Sequence, residues 1–271
     1  MLPRISEIRV YPIKSCAGVS VDSATLEARG LSWDRRYMLV DLGSRFLTQR
    51  EHPRMTTIRV QRSSNGWSVH TSEQETLEIP ESLPDGLERS VRIWNDQIDV
   101  TVARQRFNEW FTMALGLPCE LVQMKDKHVR PIKSRYGKPG DSVSFADGAP
   151  VLLTSEASLA ELNRRLERPL PMIRFRPNLV ATAERAFAED GWRRIRVGEA
   201  ELDVEWACTR CIVTTIDTVT GEKELEGEPI RTLKSFRGSP EGVMFGQNLI
   251  PRRLGTVRVG DSIEVLEDSD A

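Results

Sequence analysis

The chain has little from which to build a metal cage or a disulfide framework: four cysteines and three histidines in 271 residues. Cys16 and Cys119 stand alone, and His52, His70 and His128 have no partner at ligand spacing, which excludes an ordinary four-ligand zinc site. Four cysteines over this length are also too few to staple a secreted scaffold. No apolar run approaches the roughly 20 residues that a membrane span takes, and the Met1-Leu2-Pro3-Arg4 start lacks a signal-peptide core. A cytoplasmic, reducing setting with no membrane partner is therefore expected. Charge of one sign is missing too. With 38 basic and 40 acidic residues the net charge is -2, so no global field gathers nucleic acid, and none is expected as a partner. Repeats, a Gly-rich phosphate loop and a hydrolytic triad are likewise absent.

What is there converges on Trp206-Ala207-Cys208-Thr209-Arg210-Cys211-Ile212-Val213-Thr214-Thr215-Ile216-Asp217. Before it, Ala200 to Trp206 alternates polar and apolar as a half-buried strand does; after it, Ile212 to Ile216 is β-branched throughout and reads as a second strand. Both thiols then lie on a short loop between strands, with Arg210 as a counter-charge. On the residues alone three readings stand open: a structural pair, a dithiol switch, or a thiolate ligand for a soft metal. The switch is the poorer fit, because such motifs open a helix and Ile212-Val213-Thr214-Thr215 is a weak helix start.

The first ~100 residues read as strand-rich. Arg4 to Tyr11 alternates as a strand, and Pro12-Ile13-Lys14-Ser15-Cys16 ends it with a Lys-Ser pair, a solvated tip or a site for an anion. In the strand-like run from Trp33 to Asp41, either Arg35 or Arg36 must face inward, where an unpaired charge costs several kcal/mol. Hairpins are expected through Ser63-Ser64-Asn65-Gly66 and through Asn95-Asp96-Gln97. From Arg106 to Leu115 the period becomes helical, with Phe107, Trp110, Phe111 and Ala114 on one face and Gly116 as the stop. Lys125 to Pro150 has no sustained period, which suggests a loop covering a site or a linker between domains. Thr154 and Ser155 precede a helical run and can cap it, and amides and hydroxyls at such a start also bind anions. In Phe175-Arg176-Pro177-Asn178, Arg176 and Asn178 share one side of an extended chain.

Taken in order, these motifs resemble the MOSC family, named for the C-terminal domain of molybdenum cofactor sulfurases. Tyr11-Pro12-Ile13-Lys14-Ser15-Cys16, Trp33-Asp34-Arg35 and Phe46-Leu47-Thr48-Gln49-Arg50 look like its N-terminal domain. Leu153-Thr154-Ser155-Glu156-Ala157-Ser158-Leu159, Arg174-Phe175-Arg176-Pro177-Asn178, Cys208-Thr209-Arg210-Cys211, Leu233-Lys234-Ser235-Phe236-Arg237 and Phe245-Gly246-Gln247-Asn248 look like the MOSC domain proper. The resemblance runs nearly full length and is strongest to the subgroup of mitochondrial amidoxime-reducing components and bacterial reductases of N-hydroxylated bases.

That resemblance implies a mixed α/β, β-rich fold: an N-terminal β-barrel-like domain over residues 1–120, packed on a MOSC β-barrel domain with a few helices over 121–271. It implies a molybdenum cofactor, with Cys211 as metal ligand and catalytic centre. It places phosphate or pterin contacts at Lys14, Ser15, Arg35, Thr154, Ser155, Ser158, Arg176, Asn178 and Arg210. The activity implied is reduction of N-hydroxylated small molecules, with electrons from a separate donor protein (a ferredoxin, flavoprotein or b-type cytochrome), since no cysteine follows Cys211 to bind a fused iron-sulfur cluster. A carrier of the cofactor or of its sulfur is the alternative.

Overall fold

Alternation of buried and exposed side chains resolves into four sheets in the computed structural model, which describes residues 2–83 and 86–269. The largest has nine strands. Its path runs Ile263–Asp268, Trp192–Val197, Ala200–Arg210, Gly242–Arg253, Val151–Ser155, Leu179–Ala181, Ile5–Val10, Val19–Val21, with Gly238–Ser239 added beside Gly242–Arg253. Every pairing is antiparallel except Val151–Ser155 with Leu179–Ala181. The sheet curls until Arg4 bridges Ser262, yet no closed barrel forms among the described residues. The reason is competition for one edge: Val19–Val21 already pairs Ile8, Arg9 and Val10, leaving only the start of that strand for the other end of the sheet.

The chain's first thirty residues do not stay in its N-terminal half. Ile5–Val10 is hydrogen-bonded to Leu179–Ala181, and Ser23–Glu27 to Gly255–Arg258, so these pairings cross the division expected at 120/121. A four-stranded sheet (Tyr37–Val40, Glu120–Met124, Asp96–Val102, Leu87–Ile93) and a three-stranded one (Arg59–Ser63, Gly66–His70, Leu77–Pro80) complete the strand-rich half. Helix Gln105–Leu115 buries Phe107, Trp110, Phe111 and Leu115, each contributing ~1.5–3 kcal/mol by leaving water. Trp110 loses no bond in doing so, because its Nε1 donates to Glu75 O at 2.8 Å. Gly116 ends the helix at φ 69°, a left-handed turn that glycine adopts without strain. Among the described residues no helix is long and apolar enough to cross a membrane.

Local departures from expectation have local causes. The hairpin through Ser63-Ser64-Asn65-Gly66 forms as expected, with Ser63 paired to Gly66, whereas the second turns early, on Trp94-Asn95, because Ile93 pairs Asp96. The strand expected from Trp33 begins only at Tyr37. Ahead of it the chain makes a tight turn with Trp33 at φ 67° and Arg35 at φ 49°, organised by Asp34, whose buried carboxylate accepts from Tyr11 N at 2.9 Å. Both arginines there are drawn in, Arg35 to Asp34 and Arg36 to Glu27. The β-branched run after Cys211 is a 3-10 turn, Ile212–Thr215, and not a strand. Thr214 Oγ1 donates to Cys211 O and Thr215 Oγ1 to Ile212 O, bonds that a strand geometry would forgo.

Residues 125–150 hold no helix or extended strand. Arg130 ties them to Asp96 of the four-stranded sheet (2.7 Å) and back onto their own Ser144 O (3.0 Å), and Asp141 ties them to Arg252 of the large sheet. The covering loop is thus the reading that holds, and it roofs the cavity described next.

Candidate functional site

Cys211 ends strand Ala200–Arg210, which pairs Gly242–Arg253 with register shifts between Val204 and Trp206 and between Ala207 and Thr209. Those irregularities bring Trp206, Cys208, Thr209, Arg210 and Cys211 all onto the wall of one cavity of about 700 Å³. Cys208 therefore lies within the strand, and only Cys211 at its end, where a two-strand loop had been expected. Both thiols are free and partly buried. Arg210 Nη1 donates to Cys208 Sγ at 2.9 Å, and its Nη2 to Phe175 O; its Nε is buried with no partner.

The opposite wall is cationic. Lys14 follows the tip of strand Ile5–Val10, with its ammonium donating to Phe145 O at 2.8 Å and paired to Asp147. Burial pushes the Lys14 ammonium down to about 8, against the pull of Asp147. Asp147 also accepts from Arg50 at 2.7 Å. Burial alone would raise the Asp147 carboxyl, but Lys14 and then Arg50 outweigh it and hold it far below the carboxylate range. Arg50 shows the same balance: burial disfavours its charge, while Asp147 and then Cys211 more than restore it. Arg50 is thus a cation on the Cys211 cavity, held there by Asp147.

Arg35 and Arg176 clasp one ring. Their guanidinium carbons lie 4.4 and 4.2 Å from the Tyr11 centroid, and Gly18 is required beneath it, since a Cβ there would fall 2.4 Å from the ring. Burial lowers Arg176 to about 10, an effect that Tyr11 opposes and the neighbouring Arg35 adds to. Among the described residues its hydrogen bond is Nη1 to Cys16 O at 2.8 Å, so most of its donors are free. Ser15 (φ 70°), Arg35 (φ 49°) and Arg176 (φ 55°) all carry left-handed backbone on this cavity. Such strain in non-glycine residues costs of order 1–3 kcal/mol each and concentrates where a site must be held in shape.

Asn178 has a different part. Its Oδ1 accepts from Arg35 Nη1 (3.1 Å) and Leu152 N (3.2 Å), while Nδ2 donates to Arg9 O (3.1 Å) and Asp34 Oδ1 (3.0 Å). All its donors and acceptors are used, so it fixes Arg35 and has nothing left for a ligand. Thr154, Ser155 and Ser158, expected among the cofactor contacts, do not line the cavity. Ser155 caps helix Glu156–Asn163 by accepting from Ser158 N, and both serine hydroxyls donate to buried Glu189, at 2.9 and 2.7 Å. Thr154 Oγ1 turns to Met172 Sδ at 3.2 Å. Ser155 is the cap, and the other two hydroxyls are taken up by Met172, Glu189 and Phe187 N.

The structure therefore gathers Lys14, Ser15, Arg35, Arg176, Asn178, Arg210 and Cys211 at one cavity. To these it adds Arg50, Arg130, Lys133, Arg135, Asp96, Asp147 and Glu241, so eight cationic residues face three acidic ones. Arg50 stood in a motif already quoted for its resemblance and was passed over as a site residue. Asp147 sits in an aperiodic loop and carries no local signal at all. Among the described residues no three His, Cys, Asp or Glu gather as a metal cage.

Such a fold, with two thiols on a cation-lined cavity, defines a class. Residues 2–118 match the MOSC N-terminal beta barrel domain and residues 140–264 the MOSC domain, and the chain belongs to the MOSC family. Within it, the chain is 33% identical over 280 residues to mitochondrial amidoxime-reducing component 1 of Mus musculus, covering 97% of this chain and 82% of that one. The corresponding Homo sapiens protein is 31% identical with the same coverage. A molybdenum cofactor sulfurase of Oryza sativa is 31% identical over 262 residues, but this chain spans only 32% of it.

Proposed function

We propose that the protein reduces N-hydroxylated compounds (hydroxylamines, amidoximes, N-hydroxylated bases) with a molybdenum cofactor and takes its electrons from a separate donor protein, a ferredoxin, flavoprotein or b-type cytochrome. The observation that carries this reading is the Cys211 thiol opening onto the same cavity as Lys14, Ser15, Arg35, Arg176 and Arg210. The residues fit the group. A cofactor that brings its own sulfur and oxygen donors needs one protein thiolate, which suits a site with no cage. A terminal phosphate needs charge-assisted donors, and the free nitrogens of Arg35 and Arg176 and the orphaned Nε of Arg210 are such donors. The cavity's volume is ordinary for a buried ligand of that size.

When bound, the cofactor would supply two-electron removal of oxygen from an N–OH group. The chain's own residues do the rest. Cys211 would hold the metal, with Arg50 on the same cavity. Lys14, Arg35 and Arg176 would take the phosphate and heterocycle, and Asn178, Asp34 and Asp147 keep those cations aimed. The names of the amidoxime-reducing relatives support this choice of substrate.

Protein made in a cofactor-competent host should carry near-stoichiometric molybdenum and reduce benzamidoxime when given a reductant. Cys211→Ser should lose both, whereas Cys208→Ser, whose hydroxyl still accepts from Arg210, should keep its metal. Retention of activity by Cys211→Ser would show that the ligand is misassigned. The likeness to the rice sulfurase favours one rival, a carrier of cofactor or sulfur. A carrier would bind molybdenum at the same cavity, release it readily to an apo-enzyme, and show no turnover with any reductant.

A further inference from the structure

Four of the eight cations of the cavity are answered by carboxylates, Lys14 and Arg50 by Asp147, Arg35 by Asp34 and Arg130 by Asp96, while Arg176 and Arg210 are held by carbonyl and sulfur acceptors. Lys133 and Arg135 are not. Both are exposed on the covering loop, both line the cavity, and neither pairs with a carboxylate among the described residues. Beside them stands an aromatic stack. Tyr136 and Trp206 lie face to face, centroids 4.4 Å apart and planes at 17°. The Arg135 guanidinium carbon is 4.3 Å from the Tyr136 centroid and so covers the face that Trp206 leaves free. Trp206 is two residues before Cys208 on the same strand and shares the cavity with Cys211.

The space next to Trp206 is open by sequence. Gly148 lines the cavity, and a Cβ built there would meet nothing nearer than Trp206 Cζ2 at 4.0 Å. Its φ lies outside the left-handed region, so nothing in the backbone demands glycine. A flat, half-buried indole on the cavity wall, flanked by two exposed cations without carboxylate partners, has the chemistry to hold a planar π-system bearing a negative charge.

We propose that Trp206, Tyr136, Lys133 and Arg135 form a substrate subsite on the Cys211 cavity, selecting planar aromatic or heteroaromatic N-hydroxy compounds that carry an anionic group. The proposal rests on the reductase reading and adds the substrate class. Trp206 takes the ring, and Lys133 and Arg135 meet the carboxylate or phosphate at the mouth. Because these two cations are solvated, the preference is salt-sensitive.

The test is calorimetric titration of the full-length protein, its molybdenum content measured on the same sample, with benzamidoxime and with its 4-carboxylate. The carboxylate should bind about three- to tenfold tighter at low salt, as expected for one anion meeting two exposed cations. Lys133→Ala/Arg135→Ala should abolish that advantage, and both positions are exposed, so folding is not at stake. Trp206→Ala should weaken both ligands about two- to tenfold, and Gly148→Leu should do the same by filling the slot. A sample without molybdenum that keeps these differences would support the subsite while removing the reductase reading. Equal affinities, or an advantage that survives the double variant, would overturn the subsite. Loss of donor-driven turnover in the double variant at unchanged carboxylate affinity would overturn it as well, by assigning the two cations to an acidic protein partner.

Discussion

Replacing Asn178 by alanine separates a scaffold role from a ligand contact. The side chain is 1% exposed and makes four hydrogen bonds, two of them to the charged groups of Arg35 and Asp34. Bonds to charged groups contribute roughly 1.5–3 kcal/mol each, and neutral ones roughly 0.5–1.5. The Arg35–Asp34 pair survives the change at 2.6 Å, which discounts the charged part, but Leu152 N and Arg9 O are left buried with nothing to bond. The net loss should be about 3–5 kcal/mol, read as a lower urea midpoint at unchanged slope. Arg176→Met is the contrast. It gives up one bond to Cys16 O and relieves a repulsion with Arg35, so it should cost little stability while removing most affinity for an anion. If Asn178→Ala lost less than about 1 kcal/mol, or if both variants lost stability alike, the division between bracket and binding residue would be wrong.

Further expectations follow from two buried ionisable groups. Lys14 titrates at about 8, so it is charged below that pH and neutral above. Affinity of the cofactor-free protein for inorganic phosphate should therefore fall as pH rises through 8, with proton uptake on binding near that pH, and Lys14→Met should flatten the profile. Glu189 is pushed up by burial, a push that Ser158 and Ser155 only partly offset. A carboxyl raised on folding holds its proton more tightly in the native state, so its contribution to stability is greatest below the unfolded value of about 4.3 and declines as pH climbs through the raised one. Urea unfolding of Glu189→Gln should show a flatter dependence over that window; identical pH profiles for the two proteins would contradict it.

Much of the site was readable as motifs because its parts are short and local. Lys14-Ser15, Arg35, Arg176 and Cys208-Thr209-Arg210-Cys211 each announce themselves as polar or basic groups next to an apolar stretch, and each reaches the cavity. The serines misled for a physical reason. A hydroxyl that caps a helix and one that greets a phosphate look alike in sequence, and only the arrival of Glu189, thirty-one residues beyond Ser158, decided the matter. Asn178 misled in the opposite sense: a polar residue beside an arginine was read as a contact, and its four bonds make it a bracket. The threonines after Cys211 were read as strand formers, where back-bonding hydroxyls tighten the chain into a 3-10 turn.

By itself the sequence determined the strand-rich character, the helix with its glycine stop, the aperiodic loop and the candidate thiol, because hydrophobic period and turn chemistry act over a few residues. Tertiary structure alone decided that the first strand crosses into the C-terminal sheet, that Asp147 holds Lys14 and Arg50 together, and that Tyr136 lies on Trp206. Those outcomes depend on charge pairing and packing between segments seventy or more residues apart, whose energies exist only once the sheet has brought them into contact.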